Sequence, residues 1–345
     1  MRDEAVNQET ILRLDANEGR PCLPPDAFSA LIDSELLRRY PDSKPLEAAL
    51  AARMGLKPEC VIATAGADDA IDRAIRRFGR LDPEREVLST APAFEEYAAA
   101  AARSGAVYAS VPRAPDGPFP LASLVAAVRE RKPALVVVAS PDNPGGGVIS
   151  VSELSELAAA CRKVGAPLLF DVAYSDFDED RAVYDAAFTI PGVIVTGTFS
   201  KSLGLAGLRA GWAAGSVEDI AALSQAGPPY SLGTFAVAAA KTALESPEAQ
   251  AARDAFVAEV RRERPLLVSA LASIGAKTWQ GRANFAAAFV PDSPFFVRAL
   301  EAEGINIRFW VGKAGRDNLV RITCPGESAE FERLLAALRK IGRLA

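Results

Sequence analysis

The sequence predicts an α/β fold, in which helices cover both faces of a mostly parallel sheet and a smaller α+β domain is attached. Six short apolar runs alternate with helical stretches between residues 61 and 199. The run at 135–139, Leu-Val-Val-Val-Ala, is apolar at consecutive positions, which is typical of strands buried on both faces of a parallel sheet. After about residue 245 the pattern changes to a long Ala- and Arg-rich helical stretch with shorter elements behind it.

Individual elements follow from these patterns. The predicted strands are 61–64, 87–90, 107–111, 135–140, 168–172 and 193–199. Ala, Leu, Arg and Glu at helical spacing predict helices over 68–78, 94–103, 121–131 and 151–163. Beyond the long helical stretch we expect a strand at 285–290, a helix at 294–303, a strand at 319–323 and a last helix.

The length of the chain indicates two domains, because 345 residues exceed one core of ordinary size. The change of pattern divides the chain into a large domain, residues 35–245, and a small domain, residues 1–34 and 246–345, whose first part is an N-terminal arm. The sequence contains no repeat or Gly/Ser linker, so the two domains should pack closely.

Composition excludes several classes of function. A net charge of -5 is too small and of the wrong sign for binding nucleic acid or acidic membranes. The chain has no histidine, which removes imidazole as a base or metal ligand, and its four cysteines form no C-x-x-C pair, so no metal site is predicted. The polar start and the lack of a long apolar run indicate a cytoplasmic protein.

Polar residues follow the predicted strands, where an open parallel sheet binds its ligands. The segments concerned are 65–68, 92–97, 140–143, 171–174 and 198–201. Lys201 lies among small residues that allow a ligand to approach the backbone closely. A desolvated lysine is a nucleophile that can form an imine with an aldehyde cofactor, although a lysine at a strand end is more often a solvated surface residue.

The surrounding polar residues match the requirements of pyridoxal 5'-phosphate (PLP), which needs a lysine, a carboxylate for its ring nitrogen, donors for its phenolate oxygen and an anion site. Asp171 is the candidate carboxylate, while Asn143 and Tyr174 are the candidate donors. Asp171 and Asn143 also have ordinary alternative roles, as a helix cap and a turn residue. The candidates for the phosphate site are Thr198, Ser200, Arg209 and the amides of Ala67 and Asp68.

Several motifs also carry a family resemblance. The longest is Thr198-Phe-Ser-Lys-Ser-Leu-Gly-Leu-Ala-Gly-Leu-Arg-Ala-Gly-Trp212. It is accompanied in order by Tyr40-Pro-Asp, Gly66-Ala-Asp-Asp, Pro92-Ala-Phe-Glu-Glu-Tyr97, Ser140-Pro-Asp-Asn-Pro144, Asp171-Val-Ala-Tyr174 and Leu319-Val-Arg-Ile-Thr323. With these motifs the chain resembles the PLP-dependent aminotransferases of fold type I, and within them the histidinol-phosphate aminotransferase-like branch. The resemblance spans nearly the whole chain and implies a PLP-dependent transferase-like large domain.

The resemblance implies how the cofactor is held. Lys201 carries it as a Schiff base and acts as nucleophile and general base, while Asp171 pairs with the ring nitrogen. Asn143 and Tyr174 contact the phenolate oxygen, and Tyr97 stacks on the ring. The phosphate lies against Ala67, Asp68, Thr198, Ser200 and Arg209.

The resemblance also implies partners and substrates. Tyr40 reaches the phosphate from the other subunit of a homodimer with shared active sites. Arg321 binds the substrate α-carboxylate as a bidentate fork. The implied reaction moves an amino group between an amino acid, or an amino phosphate such as histidinol phosphate, and a 2-oxo acid.

Some positions depart from the family pattern. Asn17-Glu18 is kept, and Asn17 is expected to face the substrate, but the usual Pro-Tyr-Gly after it is missing and Arg20 stands close to its place. Pro144-Gly-Gly-Gly replaces Pro-Thr-Gly, and Val172 replaces a glutamate. Arg308 is where such enzymes often bind the substrate side chain, so Arg308 with Arg20 favours an acidic or phosphorylated substrate. The donor and acceptor stay open.

Two alternatives share the cofactor: a decarboxylase similar to threonine-phosphate decarboxylase, and a PLP-binding protein without turnover. The first would release carbon dioxide instead of a keto acid, and the second would form no pyridoxamine phosphate. A nicotinamide-binding Rossmann enzyme is excluded because no G-x-G-x-x-G follows the first predicted strand with an acidic residue in place.

Overall fold

The computed structural model describes residues 11–31, 34–79, 84–312 and 316–342. The strands in these ranges are β1 (Leu12–Leu14), β2 (Val61–Thr64), β3 (Val87–Ala91), β4 (Tyr108–Pro112), β5 (Leu135–Ala139), β6 (Leu168–Asp171), β7 (Val193–Thr198), β8 (Gly211–Ala214), β9 (Lys277–Thr278), β10 (Phe285–Phe289), β11 (Ile305–Phe309) and β12 (Leu319–Thr323). The helices are α1 (Pro25–Ala30), α2 (Ser34–Arg38), α3 (Lys44–Met54), α4 (Ala67–Phe78), α5 (Glu95–Ser104), α6 (Leu121–Arg131), α7 (Val151–Lys163), α8 (Ala182–Ala187), α9 (Val217–Gln225), α10 (Thr234–Glu245), α11 (Pro247–Ser273), α12 (Ser293–Ala302) and α13 (Ser328–Ile341).

The predicted α/β class is confirmed. Within the described residues the larger sheet has seven strands in the order β2-β8-β7-β6-β5-β3-β4. All neighbours pair in parallel except β8, which runs antiparallel to both β2 and β7. The six predicted strands of this sheet form within a residue or two of their predicted bounds. Strand β8 was missed, because Gly-Trp-Ala-Ala at 211–214 carries no β-branched run.

Burial explains why the central strands read as continuous apolar runs. Strands β5, β6 and β7 are buried along almost their whole length, and helices cover both of their faces. On one face α4 and α5 contribute to a cluster around Ile71 and Tyr97, and on the other α6, α7 and α10 pack around Leu157. Because both faces of such a strand are buried, apolar residues occupy successive positions and do not alternate with polar ones.

A second sheet joins the two ends of the chain. Its order is β1-β11-β12-β10-β9, with β1 parallel to β11 and the other pairs antiparallel. Helices α11, α12 and α13 cover it, and α11 continues through Pro265 over 27 residues. The proposed domain boundaries at residues 35 and 245 stay predictions, and the first ten residues of the predicted arm lie outside the described ranges.

None of the described helices is long and apolar enough to cross a membrane. The cytoplasmic location stays a prediction from the sequence. Within the same residues, no group of three or more Cys, Asp or Glu side chains is arranged to hold a metal ion.

The segment after β1 packs tightly on the loop that carries Lys201. The Cys22 amide donates to the Leu203 carbonyl at 3.1 Å. At Gly19 the backbones come so close that a Cβ atom there would lie 1.7 Å from the Lys201 carbonyl oxygen. Only a glycine permits this approach. The N-terminal segment therefore fixes the position of the lysine loop.

A substitution at Gly204 tests the contact between the N-terminal segment and the loop that carries Lys201. The φ of Gly204 is +65°, and an added Cβ would lie 2.0 Å from the carbonyl carbon and oxygen of Arg20. Gly204→Ala should lower the free energy of unfolding of the apoprotein by about 2–4 kcal/mol, through backbone strain and overpacking. Urea denaturation measures this. Gly207→Ala is the control, since no atom lies within 4 Å of its added Cβ. Equal effects of the two substitutions would contradict the packing argument.

Candidate active site

The carboxyl ends of β5, β6 and β7 open into a cavity of about 510 Å³. Residues after β1 and on β11 and β12 close its other side, so both sheets contribute to its wall. The lining residues are Asp15, Ala16, Glu18, Ala67, Asp68, Ala93, Phe94, Glu95, Tyr97, Ala139, Asn143, Asp171, Ala173, Tyr174, Thr198, Ser200, Lys201, Ala206, Gly207, Arg209, Arg308, Trp310, Arg316 and Arg321.

Twelve of the residues singled out from the sequence line this cavity. They are Ala67, Asp68, Tyr97, Asn143, Asp171, Tyr174, Thr198, Ser200, Lys201, Arg209, Arg308 and Arg321. The rule that ligands bind beyond the strand ends of an open parallel sheet explains why residues so far apart in the chain meet.

Lys201 extends into the cavity from the loop after β7. Its Nζ donates to the Ala16 carbonyl at 3.1 Å and lies 5.7 Å from the centre of the Tyr174 ring. The Tyr174 hydroxyl in turn accepts from Asn17 Nδ2 at 3.0 Å. Because a neutral carbonyl is the only hydrogen-bond acceptor of this amine among the residues that the structure describes, the amine can turn toward another partner in the cavity.

Asp171 ends β6 and presents a carboxylate that is 5% exposed. One oxygen accepts the Tyr97 hydroxyl at 2.9 Å and the other accepts the Ala173 amide at 3.0 Å. Burial raises the pKa of Asp171 to about 6, although both hydrogen bonds oppose the shift. The Tyr97 pKa is raised well above its ordinary value by its own burial and by this carboxylate. A cation in the cavity would offset the free-energy cost of desolvating the Asp171 carboxylate.

An anion cradle lies on one side of the cavity. Helix α4 begins there after Gly66, without a side-chain hydrogen bond to its N-cap among the described residues, so its first amides and its dipole point at the cavity. Arg209 pairs with Asp68 at 2.9 Å and approaches Ser200 Oγ at 3.5 Å. A Cβ at Gly66 would lie 2.8 Å from the Arg209 guanidinium, so glycine is needed for this arrangement.

Arg321 projects from β12 and is 6% exposed. Its guanidinium donates to Asn143 Oδ1 at 2.7 Å and to the Asp15 carbonyl at 2.6 Å, and its Nε has no hydrogen-bond partner in the described ranges. Burial lowers the pKa of Arg321 to about 10. A buried guanidinium without a carboxylate partner is suited to binding an anionic group of a ligand.

The loop that carries Asn143 depends on small residues. Asp142 accepts the amides of Gly145 and Gly147 at 3.2 and 2.6 Å and pairs with Arg113 at 3.2 Å. A Cβ at Gly145 would lie 2.4 Å from the Pro115 carbonyl oxygen. The Pro-Gly-Gly-Gly departure from the family pattern thus accompanies a closely packed loop around a buried ion pair.

A charged cluster that was not predicted from the sequence forms the outer wall of the cavity. Glu95 accepts from Arg308 at 2.8 Å, from Arg316 at 2.9 Å and from the Trp310 indole at 3.2 Å. Partial burial raises the pKa of Glu95, but the two guanidinium groups outweigh it and the net shift is downward. Arg308 and Arg321 face each other across β11 and β12. The signal available in the sequence was Glu95 in the Pro92–Tyr97 motif.

Three predicted site residues do not line the cavity. Arg20 is the clear correction: its guanidinium pairs with Glu330 and donates to the Pro325 carbonyl, so it is directed away. Asn17 is completely buried, and its side chain donates to the hydroxyl of Tyr174, which does line the cavity. Tyr40 is 80% exposed on the surface.

The residues present fit PLP. The cavity combines a lysine amine, a buried carboxylate whose desolvation a protonated ring would offset, and an anion cradle at a helix start. This set supplies the imine partner, the ring-nitrogen partner and the phosphate site that PLP requires. The volume of about 510 Å³ leaves room for a substrate beside the cofactor.

Comparison with known proteins identifies the family of the chain. Residues 9–338 match the family model described as aminotransferase class I and II. Histidinol-phosphate aminotransferase of Aeromonas salmonicida is 32% identical, with 94% of this chain and 90% of the relative covered. The enzyme of that name from Chromobacterium violaceum is also 32% identical, with 95% and 92% covered. The crystal structure of histidinol-phosphate aminotransferase from Sinorhizobium meliloti in complex with pyridoxal-5'-phosphate has a TM-score of 0.83 and 25% identity, with 96% and 92% covered.

Fold and site define a PLP-dependent enzyme of fold type I. The chain belongs to the class I and II aminotransferase family, and it is a transaminase that uses PLP and acts on small amino and keto acids. The decarboxylase alternative is not favoured, because these relatives are named aminotransferases.

The raised pKa of Asp171 predicts how pH affects stability. The folded state binds the Asp171 proton more tightly than the unfolded state does. The stability that this group contributes to the apoprotein is therefore lost as the pH rises from about 4 through about 6. At about pH 7.5, apo Asp171→Asn should therefore be more stable than apo wild type, by up to about 3 kcal/mol.

Urea unfolding of both apoproteins at about pH 4 and about pH 7.5 measures the difference, which should vanish at the lower pH. The holoproteins serve as the control, because the cofactor should stabilise wild type more than Asp171→Asn. A stability difference independent of pH would contradict the assigned burial cost.

Proposed function

We propose that the cavity around Lys201 is the catalytic centre, where the enzyme moves an amino group between an amino acid or amino phosphate and a 2-oxo acid. One observation carries the proposal: the Lys201 amine, the Asp171 carboxylate and the Arg321 guanidinium line the same cavity. The first can react, the second can hold a cationic ring and the third can hold a substrate anion.

PLP, when bound, supplies an aldehyde carbon and an electron-accepting ring. The proposed role of Asp171 is to keep the proton on the ring nitrogen, with Tyr97 holding the carboxylate in place. The α4 amides, Thr198, Ser200 and Arg209 are the proposed phosphate ligands. Tyr174 and Asn143 are the proposed neighbours of the phenolate oxygen, although Asn143 already accepts from Arg321.

Lys201 is the proposed general base. Its Nζ lies on a flexible stem at the cavity floor and would take the proton from the substrate α-carbon and return it to the cofactor carbon. The Ala16 carbonyl orients the amine, and the tight backbone contact at Gly19 keeps the loop from shifting. With no histidine in the chain, this amine is the group best placed for the transfer.

Arg321 is the proposed site for the anionic group of the substrate, whether a carboxylate or a phosphate. The curated relatives are named histidinol-phosphate aminotransferases, which supports an amino phosphate as one candidate donor. The cluster of Glu95, Arg308 and Arg316 would face the distal part of the substrate. Glu95 pairs with both arginines and offsets one of their two charges, so a substrate anion there would compete with this carboxylate.

The test is a donor screen on the purified holoenzyme. The visible absorbance of the lysine-bound cofactor should bleach with a competent donor, and pyridoxamine phosphate should accumulate without an acceptor. Histidinol phosphate is compared with glutamate, aspartate and aromatic amino acids, so that donors with and without an α-carboxylate are separated.

Lys201→Ala is the matched control and should bind the cofactor without the absorbance of the lysine adduct. General acid–base catalysis supports a loss of at least about 10²-fold in turnover for this variant. Carbon dioxide release without pyridoxamine phosphate would refute the proposed reaction, and an unmodified Lys201 in wild type saturated with PLP would refute the proposed site.

We also propose a homodimer with shared sites. Tyr40 is 80% exposed and stacks on Tyr230, itself 54% exposed, with 4.7 Å between the ring centres. An exposed aromatic pair is typical of a surface that is covered in an assembly. In this proposal Tyr40 completes the phosphate site of the partner subunit.

Light scattering should therefore give a mass of about two chains. Mixing Tyr40→Ala with Lys201→Ala should restore about a quarter of wild-type activity. Random pairing makes about half of the dimers hybrid, and one of the two sites in each hybrid is intact. A monomeric mass would contradict the dimer, and mixing without recovery would contradict the shared site.

A further inference from the structure

A second cavity, of about 430 Å³, lies directly behind the wall of the active-site cavity. Ala173 and Thr198 line both cavities, so the segment after β6 and the end of β7 separate them. The remaining walls come from the end of α3 and the first half of α11. Apolar side chains, among them Leu50 and Trp212, form part of the lining.

The second cavity carries an excess of positive charge. Four of its lining residues are arginines and two are carboxylates. These are Arg53, Arg181, Arg253 and Arg261 against Asp176 and Asp254. The lining therefore has a formal excess of two positive charges, which the role proposed for the active-site cavity does not use.

Two of the arginines have structural partners. Arg261 donates to the Asp176 carbonyl at 3.0 Å and so supports the turn after β6. Arg181 pairs with the Asp176 carboxylate at 3.0 Å and stacks over the Tyr184 ring. A structural role accounts for both of these side chains.

The other two arginines are left incompletely paired. Arg253 contacts Asp254 at 2.6 Å and lies 3.8 Å from Asp176, and its Nε is buried with no hydrogen-bond partner among the described residues. Arg53, on α3, lines the same cavity with no ion pair or hydrogen bond to any residue that the structure describes. Partial desolvation of its guanidinium and the nearby Arg253 lower the pKa of Arg53, which is exposed where it lines the cavity, so the two cations repel each other.

We propose that the second cavity is a binding site for a compact dianion, a phosphate group either free or on a small monoester. Guanidinium groups recognise phosphate oxygens through paired hydrogen bonds, and a dianion would balance the formal excess of two charges. It would also occupy the unpaired Nε of Arg253 and end the repulsion between Arg53 and Arg253. The apolar part of the wall leaves space for the body of a monoester.

The site is connected to the lysine loop. Asp176, whose carboxylate lies 3.8 Å from Arg253, also accepts a hydrogen bond from Ser202 at 2.5 Å. Ser202 follows Lys201 in the chain. An anion that draws Arg253 toward itself therefore acts on a carboxylate that helps to hold the loop of Lys201.

Calorimetric titration of the holoenzyme tests the proposal, since bound PLP blocks the phosphate cradle. An Arg321→Met background removes the main anion site of the active-site cavity. Inorganic phosphate should bind in this background, and Arg53→Ala and Arg253→Gln should each weaken binding roughly tenfold or more, as expected for the loss of a charged hydrogen bond. Arg129→Ala, an exposed arginine on α6, removes the same charge and should leave binding unchanged.

The ligand series separates the sources of the phosphate. Glycerol phosphate binding more tightly than inorganic phosphate would support a monoester, and the reverse order would support free phosphate. Succinate, a dianion of different shape, should bind more weakly than either. Absence of phosphate binding, or equal affinity of Arg53→Ala and Arg129→Ala, would overturn the proposal. Arg53 is exposed, so its variant should fold even where Arg253→Gln does not.

Discussion

The burial of the Asp171 carboxylate is the constraint on which the site depends. A parallel sheet with helices on both faces places the end of β6 deep in the molecule, where a charge loses most of its hydration. Two hydrogen bonds compensate part of this cost, and a protonated ring would compensate the rest. The surrounding residues can be understood from this requirement: Tyr97 holds the carboxylate in place, and in the proposed site the anion cradle and Lys201 would hold a ring against it.

Charge is distributed unevenly around this centre. Acidic and basic groups are paired at the rim, as in the Glu95 cluster, whereas Arg321 and Lys201 face neutral oxygens. A paired arginine adds little attraction for an anion, while an arginine bound only to an amide and a carbonyl keeps most of its charge available. The charges of Arg321 and Lys201 are therefore available to a ligand, whereas Glu95 offsets part of the charge of Arg308 and Arg316.

Local patterns were enough to predict the large sheet, because its strands are apolar throughout and its crossover helices are long. They were also enough to bring Lys201 and Asp171 to one cavity, whereas Arg321 was expected only from the family resemblance. Local patterns did not predict the ion pairs between residues that are far apart in the sequence. No local pattern around Glu95 predicts that it pairs with Arg308 and Arg316. Arg20 lies close to the expected position in the sequence, but its side chain pairs with Glu330. Side-chain direction in a loop is set by tertiary packing, not by spacing.

The parallel pairing of β1 with β11 has a consequence for biosynthesis. Leu12 aligns with Ile305, so during synthesis β1 waits for almost three hundred further residues before its ladder can form. Contacts of such separation form late in folding. The carbonyls that orient Lys201 and Arg321 follow β1, and a nascent chain should therefore complete its sheet of seven strands well before it becomes a competent catalyst.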